Sequence, residues 1–297
     1  MNHIKDQIHC ERAYRMGLSG KGIGVAVLDT GIFLHRDFDS RVTGFADMVN
    51  RRNFAYDDCG HGTHICGIIG GSGRMSGGRY SGIAPGCNLI MVKVLDRKGN
   101  GYSSDVLAGI SWVLERKEQL GIRILNISVG ACSKRGMSEN SALVKGVNRA
   151  WDAGLVVVVA AGNNGPRTMS ITTPGISRKV ITVGCSDDDR EVLVGGNRMV
   201  DYSGRGPTAA CICKPDLVAP GCSVVSCSSR ADKYTIKSGT SMSTPIVSGA
   251  VALLLERFPA MSNKDVKLRL RESSVDIGLP RNQQGWGLLD VGKMLER

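Results

Sequence analysis

Proline and aromatic residues are scarce in this sequence, whereas glycine is plentiful. Its 297 residues include 9 prolines and 39 glycines, and aromatic residues make up 5% of the chain. The glycines lie in short clusters between apolar runs, which indicates many tight turns rather than a flexible linker. Repeats, low-complexity tracts and Pro/Ser-rich hinges are also absent. We therefore predict one domain over residues 1–297, with enough hydrophobic residues, 42% of the chain, for a sizeable core.

Long hydrophobic segments are missing from the sequence as well. No apolar run approaches the ~20 residues that span a bilayer, so we expect no membrane partner. Residues 1–7 are polar and do not resemble the apolar centre of a signal peptide. We therefore predict that the ten cysteines are reduced thiols in a cytoplasmic protein.

Acidic residues are fewer than basic ones: the sequence has 27 acidic and 38 basic residues, and its net charge is +11. A basic chain is a candidate for nucleic-acid binding. The basic residues are scattered, however, and the densest patches, at residues 51–52 and 264–271, are short. No motif that reads a nucleic-acid groove is present. The pattern favours a solvated basic surface, and we expect no nucleic-acid partner.

Short, continuous apolar runs alternate with helical patterns along the chain. Runs of this length that are rich in β-branched residues are typical of strands buried on both faces of a parallel sheet. Their alternation with helices predicts a doubly wound, three-layer α/β domain with a mostly parallel central sheet. Strands are predicted at residues 23–28, 88–95, 123–129, 155–161 and 180–183, and helices at 103–120, 138–153, 244–258 and 262–270.

Histidine is the scarcest candidate for a general base, with only five in the chain. His61 and His64 lie just before an apolar helical stretch. Asp29 ends a predicted buried strand, and Ser241 lies directly ahead of a long apolar helix. A serine hydroxyl is a weak nucleophile that needs a base within hydrogen-bond reach, and that base needs an orienting carboxylate. These three residue types at element boundaries indicate nucleophilic catalysis.

A reaction of this kind also needs donors that stabilise negative charge on the substrate oxygen. A serine at a helix start gains the backbone N–H groups and the dipole found there. Asn163 follows the most apolar predicted strand and offers a side-chain amide as a second donor. Taken singly, Asp-Thr-Gly and Asn-Asn-Gly are typical of turns, and Gly-Thr-Ser is typical of a helix cap. Their occurrence together, in one order, is what favours catalysis.

The segments around these residues resemble those of the subtilisin-like serine proteases, the subtilases. The resemblance extends from about Leu18 to Leu289 and is closest in character to intracellular bacterial subtilisins. The order Asp, His, Ser is also that of subtilisin. The resemblance implies a subtilisin-like fold. The matching segments are residues 27–31 (VLDTG), 60–64 (GHGTH), 161–163 (AGN), 203–207 (SGRGP) with 214–221 (KPDLVAPG), and 239–245 (GTSMSTP).

The resemblance implies a serine endopeptidase that acts on polypeptide substrates and needs no cofactor for its chemistry. Ser241 would attack the peptide carbonyl, and His61 would take its proton and later protonate the leaving amine. Asp29 would hold the imidazole in the required tautomer. Asn163 and the backbone N–H of Ser241 would bind the oxyanion.

The resemblance further implies which segments bind the substrate. Residues 128–130 match an edge segment that pairs with the substrate backbone as an added strand. Residues 99–101 match the facing segment, and the residue after them lines a more distant subsite. The pocket for the side chain before the cut bond is neutral, so we expect broad cleavage after larger apolar residues. The implied binding residues are Gly99, Asn100, Gly101, Tyr102, Ser128, Val129, Gly130, Gly162 and Asn164.

Metal binding is the part of the family pattern that the sequence matches least. Secreted subtilisins hold calcium with an N-terminal Gln, an Asp and an Asn-bearing loop. Asp37 matches the aspartate, but the loop at residues 70–82 has no Asn and no Gln arm is apparent. Calcium needs ~6–8 oxygen ligands, so the usual site is incomplete.

Two groups of cysteine and histidine residues invite a comparison with zinc sites. Neither has a familiar spacing of zinc ligands. We therefore expect structural thiols, and we expect His64 to be a packed or hydrogen-bonded neighbour of the triad. The groups are Cys59, His61, His64 and Cys66, and Cys211, Cys213, Cys222 and Cys227.

Two other functions compete with proteolysis. An α/β-hydrolase esterase needs Gly-x-Ser-x-Gly and the order Ser, acid, His, yet no histidine follows residue 64. A catalytically silent binding or regulatory protein with the subtilase fold is the second alternative, because a fold alone does not imply a function. The intact set of three candidate catalytic residues argues against a silent protein.

Overall fold

A computed structural model of the chain describes residues 1–130 and 139–296. Strands β1 to β11 span Gly24–Asp29, Val42–Asp47, Asn88–Lys93, Ile122–Ile127, Val156–Ala160, Ile181–Cys185, Val192–Val194, Asn197–Met199, Leu217–Ala219, Val224–Cys227 and Tyr234–Lys237. Helices α1 to α9 span Asn2–Gln7, Glu11–Arg15, His61–Gly70, Ser103–Arg116, Ala142–Asp152, Thr240–Arg257, Asn263–Ser273, Arg281–Gln284 and Val291–Met294. Short 3₁₀ helices lie at Asp39–Arg41 and Arg74–Ser76.

Seven of these strands form a parallel sheet at the centre of the fold. Their order is β2-β3-β1-β4-β5-β6-β9, and every neighbouring pair is parallel. The inner strands β1, β5 and β6 are buried along their whole length. A strand that is covered on both faces must be apolar on both, which explains the continuous apolar runs in the sequence.

Helices cover the sheet and complete a three-layer α/β architecture, as predicted. Helix α6 packs on β4, β5 and β6 and contacts α3, whereas α4 and α5 pack on each other and on β1 and β5. Nearly every residue of α6 is buried, since it lies against the sheet and beneath other elements. Within the described residues, none of the helices has the length and apolar character that crossing a bilayer requires.

The two outer strands of the sheet were not predicted. Strand β2 at one edge is only partly buried and interrupted by glycine, and β9 at the other edge is three residues long. Neither gives a continuous apolar run. Helix α6 begins at Thr240 rather than at residue 244, because the polar residues of its first turn break the apolar pattern. The single domain over residues 1–297 stays a prediction.

Candidate active site

The predicted catalytic residues meet at the carboxyl edge of the parallel sheet, where β1 and β5 flank β4. Asp29 is the last residue of β1, and Asn163 follows the end of β5. His61 is the first residue of α3, and Ser241 is the second residue of α6. Ligands of open α/β sheets bind beyond this edge of the sheet, where loops and helix starts converge.

Asp29 and His61 are joined by a hydrogen bond. Nδ1 of His61 lies 2.8 Å from Oδ1 and 3.0 Å from Oδ2 of Asp29, whose side chain is fully buried. Burial opposes protonation of the imidazole, but the charge and the hydrogen bond of Asp29 outweigh it, so the pKa of His61 is raised above its ordinary value. The carboxylate therefore stabilises the imidazolium and leaves Nε2 to exchange protons.

Asp57, which was not predicted as a site residue, holds the start of α3 in place. Its carboxylate accepts hydrogen bonds from the backbone N–H groups of Gly60 and Thr63, at 2.8 and 2.9 Å. It also accepts from the hydroxyl of Thr30, which in turn accepts from the N–H of Gly62. A carboxylate at the N-terminus of a helix is favoured by the helix dipole. This network ties the turn after Asp29 to the helix that carries His61.

Gly62 lets these two segments approach each other closely. A Cβ atom at this position would lie 2.2 Å from the carbonyl oxygen of Gly31. A residue with a side chain would therefore push α3 away from the end of β1. The glycine beside His61 is needed for packing, independently of any part in the chemistry.

Ser241 shares a cavity of about 460 Å³ with His61. Its hydroxyl donates a hydrogen bond of 2.7 Å to the backbone carbonyl of Ser128, which lies 113 residues earlier in the chain. Rotation about the Cα–Cβ bond would redirect the hydroxyl towards another acceptor. Hydrogen bonds between a nucleophile and its base often tighten only when the substrate is bound.

Asn163 lines the same cavity, and Thr240 fixes its orientation. Its amide oxygen accepts hydrogen bonds from the backbone N–H and the hydroxyl of Thr240, both at 3.0 Å. The Thr240 hydroxyl also accepts from the N–H of Gly162 at 3.2 Å. With its oxygen held in this way, the Asn163 amide has its NH₂ group left to donate within the cavity.

The predicted substrate-binding segments surround this cavity. Its walls include Gly99, Ser128, Val129, Gly130, Gly162 and Asn164. Asn100 and Gly101 line an adjoining cavity of about 210 Å³, together with apolar residues of β4, α4 and α5. Tyr102 is 79% exposed and lines a separate groove. The structure thus gathers all the predicted residues on one face, with Tyr102 furthest from the catalytic cavity.

The residues around Asp37 do not fit a calcium ion in the part of the chain that the structure describes. The buried carboxylate of Asp37 accepts hydrogen bonds from the Met75 N–H, at 2.9 Å, and the Tyr234 hydroxyl, at 2.7 Å. The guanidinium of Arg41 donates to the backbone carbonyls of Asp37 and Gly70. Calcium needs ~6–8 oxygen ligands, and these oxygens already bind protein donors.

Neither of the two cysteine groups weighed as zinc sites converges among the described residues. The groups that do converge are His35, Asp37 and Cys227, and Cys185, Asp187 and Cys222. Nε2 of His64 lies 3.1 Å from the carbonyl oxygen of Val224, as expected of a hydrogen-bonded neighbour of the triad. Burial lowers the pKa of His64 to about 3, so this imidazole is neutral.

Two lysines of the site were also missed by the sequence analysis. Lys98 and Lys237 line the cavity that contains Ser241. Lys98 precedes a predicted binding segment, and Lys237 lies four residues before the predicted nucleophile. Their closeness to the motifs was the available signal, but a lysine near a motif is most often a solvated side chain.

Comparisons with known proteins identify the family and the fold of this chain. The model of the subtilase family, Peptidase S8, matches residues 20–287. Serine protease AprX of Bacillus subtilis is 42% identical over 285 residues, covering 90% of this chain; the chain spans 64% of the length of AprX. The solved structure of sphericase superposes with a TM-score of 0.77 and 31% identity, covering 92% of this chain and 93% of sphericase.

The prediction of a cytoplasmic protein is wrong. The minor extracellular protease Epr of Bacillus subtilis is 32% identical over 286 residues, covering 96% of this chain and 40% of Epr. The prediction was based on the polar residues 1–7, and the reading of the cysteines as reduced thiols followed from it; six of the nine described cysteines are buried. A buried thiol is inert in any compartment, so it does not report the redox state outside. By its family model, its relatives and its fold, the chain belongs to the subtilase family of serine-type endopeptidases.

Proposed function

We propose that this chain hydrolyses polypeptides with Ser241 as nucleophile, His61 as general base and acid, and Asp29 as the group that orients His61. The observation that carries the proposal is the 2.8 Å contact between Asp29 and the Nδ1 atom of His61, in a cavity that also contains Ser241. Subtilases need no cofactor for this chemistry, since an imidazole between an acid and an alcohol suffices.

The first half of the reaction forms an acyl-enzyme. Oγ of Ser241 bonds to the scissile carbonyl carbon while its proton moves to Nε2 of His61. The negative charge on the carbonyl oxygen is stabilised by the NH₂ group of Asn163 and the backbone N–H of Ser241. When the tetrahedral intermediate collapses, the C–N bond breaks and His61 gives its proton to the leaving amine.

The second half regenerates the enzyme. A water molecule attacks the acyl carbon and loses a proton to Nε2 of His61. The bond between the acyl carbon and Oγ of Ser241 then breaks, and the proton returns from His61 to Oγ. Asp29 keeps its charge throughout, because its part is to orient and stabilise the imidazolium.

For specificity, we propose broad cleavage after larger apolar residues. The pocket walls at Gly130, Gly162, Asn164 and Thr172 carry no charge, and they leave room for a large side chain. The adjoining cavity near Val129 is lined by apolar side chains and suits an apolar residue further from the cut. Mass spectrometry of the products of a denatured protein mixture would test this preference, and frequent cleavage after charged residues would contradict it.

The activity itself is tested with casein as substrate. We expect the purified protein to hydrolyse casein, a serine-directed sulfonyl fluoride to abolish hydrolysis, and Ser241→Ala to be inactive. An unchanged thermal unfolding curve for Ser241→Ala would exclude misfolding as the cause. Equal hydrolysis by the variant and the wild type would contradict the proposal and favour a catalytically silent subtilase fold or a contaminant.

A further inference from the structure

The described walls of the active-site cavity carry positive charge and no opposing carboxylate. Lys98 and Lys237 line the cavity of about 460 Å³, and its other described walls contain no Asp or Glu. Asp29 is fully buried, and its carboxylate is hydrogen-bonded to the imidazole of His61. A substrate side chain in this cleft therefore meets two ammonium groups and no accessible carboxylate of the described chain.

Lys237 lines both spaces beside Ser241, whereas Lys98 lines only one of them. Lys237 ends strand β11, four residues before Ser241, and it lines both the main cavity and an adjoining groove of about 560 Å³. Its charge lowers the pKa of His61, against the larger effect of Asp29, which agrees with an ammonium close to the imidazole. Among the described residues, no hydrogen bond or ion pair engages this ammonium group.

The adjoining groove lies on the leaving-group side of Ser241. The substrate residues before the cut are expected along residues 128–130, which line the main cavity but not this groove. Both spaces share His61, Asn163 and Ser241, so a chain that passes the nucleophile continues from one into the other. The groove therefore receives the residues that follow the scissile bond.

Of the described residues that line this groove, only Lys237 is a lysine, arginine, aspartate or glutamate. The other walls are mostly apolar or glycine, and Leu193 and Ile236 are 62% and 63% exposed. An ammonium group without a partner, set among apolar walls, attracts a carboxylate more strongly than one surrounded by water does. A lysine or arginine of the substrate would be repelled there.

We propose that Lys237 selects substrates with an acidic residue directly after the scissile bond, an inference that rests on the proposed function. The substrate class is thus a polypeptide in which a larger apolar residue is followed by Glu or Asp. An ion pair in a half-exposed cleft is worth ~1 kcal/mol, which corresponds to about a fivefold preference. The preference weakens with salt, because the Debye length falls to ~3 Å at 1 M.

Internally quenched peptides that differ at one position test this preference. The peptides carry Glu, Gln or Lys directly after the same apolar residue, and mass spectrometry verifies the site of cleavage. For the wild type at low ionic strength, we expect kcat/KM to be about fivefold higher for Glu than for Gln, and lower still for Lys. In Lys237→Gln the ratio of Glu to Gln falls to about one, and in Lys237→Glu it drops below one.

Lys233→Gln is the matched control, because it removes the same charge from an exposed lysine outside both cavities. This variant should keep the fivefold ratio of the wild type. A wild-type ratio near one, or an unchanged ratio in Lys237→Gln, would overturn the inference. Hydrolysis of the Gln peptide in the same experiment would still support the proteolytic function. Failure to cleave any of the peptides, or equal cleavage by Ser241→Ala, would overturn both.

Discussion

Thr240 holds the amide of Asn163 through two hydrogen bonds of 3.0 Å, one from its backbone N–H and one from its hydroxyl. Thr240 directly precedes the nucleophile and is fully buried. The same residue thus begins helix α6 and sets the direction of the side-chain donor for the oxyanion. Thr240 is a positioning residue, since its hydroxyl acts through Asn163.

The Thr240 hydroxyl should affect turnover more than substrate binding. We expect Thr240→Val to lower kcat about fivefold, which corresponds to one hydrogen bond of ~1 kcal/mol, with little change in KM. Thr240→Ser keeps the hydroxyl and serves as the control. Steady-state kinetics on one peptide would measure both constants, and a loss confined to KM would contradict the positioning role.

Asn163→Ala should lower kcat far more. In subtilisin, removal of one oxyanion donor costs about 10²–10³-fold in turnover, and we expect a loss of that order. The KM should change little, because the donor acts on charge that develops in the transition state. A loss below tenfold would indicate that another group binds the oxyanion.

The pH profile should report the ionisation of His61. The groups that act on it are Asp29 and Asp57, which raise its pKa, and Lys237, which lowers it. Only the neutral imidazole accepts the serine proton, so activity falls as the pH falls through the pKa of His61. We expect the acid limb of kcat/KM to lie above about pH 6.5, the ordinary value for histidine.

The same profile distinguishes Lys237 from other lysines. Removal of its positive charge in Lys237→Gln relieves repulsion of the imidazolium, so the pKa of His61 rises and the acid limb moves to higher pH. Lys233→Gln should leave the limb in place. A shift to lower pH in Lys237→Gln would show that the two side chains do not interact as described.

The hydrogen bonds to Asp37 should stabilise the fold without calcium. Tyr234→Phe removes the 2.7 Å hydrogen bond to the buried carboxylate. We expect the free energy of unfolding in urea to fall by about 1.5–3 kcal/mol, the range for a hydrogen bond to a charged group. Tyr102→Phe, at an exposed position, should have no measurable effect. A rise in Tm with added calcium that Asp37→Asn abolishes would contradict this account.

The buried ion pair between Lys214 and Asp216 should contribute far more to stability than exposed pairs do. Asp216 accepts hydrogen bonds from the Lys214 ammonium group, at 2.5 Å, and from the Thr182 N–H, at 2.7 Å. We expect Asp216→Asn to cost about 3–5 kcal/mol in urea unfolding, because the Lys214 charge would remain buried without its partner. Asp152→Asn breaks the exposed pair with Lys179 and should cost below ~1 kcal/mol.

The layers of the fold could be predicted because burial on both faces requires continuous apolar strands. Strand β1 is buried at every residue and was found from that property alone. Strand β9 is also fully buried but has only three residues, and its place beside β6 follows from tertiary packing. A strand of three residues is too short to show either an alternating pattern or a continuous apolar run in the sequence.

The candidate triad was found because its residues lie at element boundaries in recognisable segments. The contacts that hold those residues were not found, since they join side chains to partners that are distant in sequence. The hydrogen bonds from Ser241 to Ser128, 113 residues away, and from Thr30 to Asp57, 27 residues away, are examples. Hydrogen-bond direction depends on the final register of strands and loops, which no spacing of residue types encodes.

The carbonyl oxygen of Ser128 links activation of Ser241 to the binding of substrate. It accepts the Ser241 hydroxyl, and it belongs to the segment expected to pair with the substrate backbone. An N–H group of an incoming polypeptide would compete for this acceptor and release the hydroxyl to turn towards His61. Docking of an extended chain would then precede activation of the alcohol.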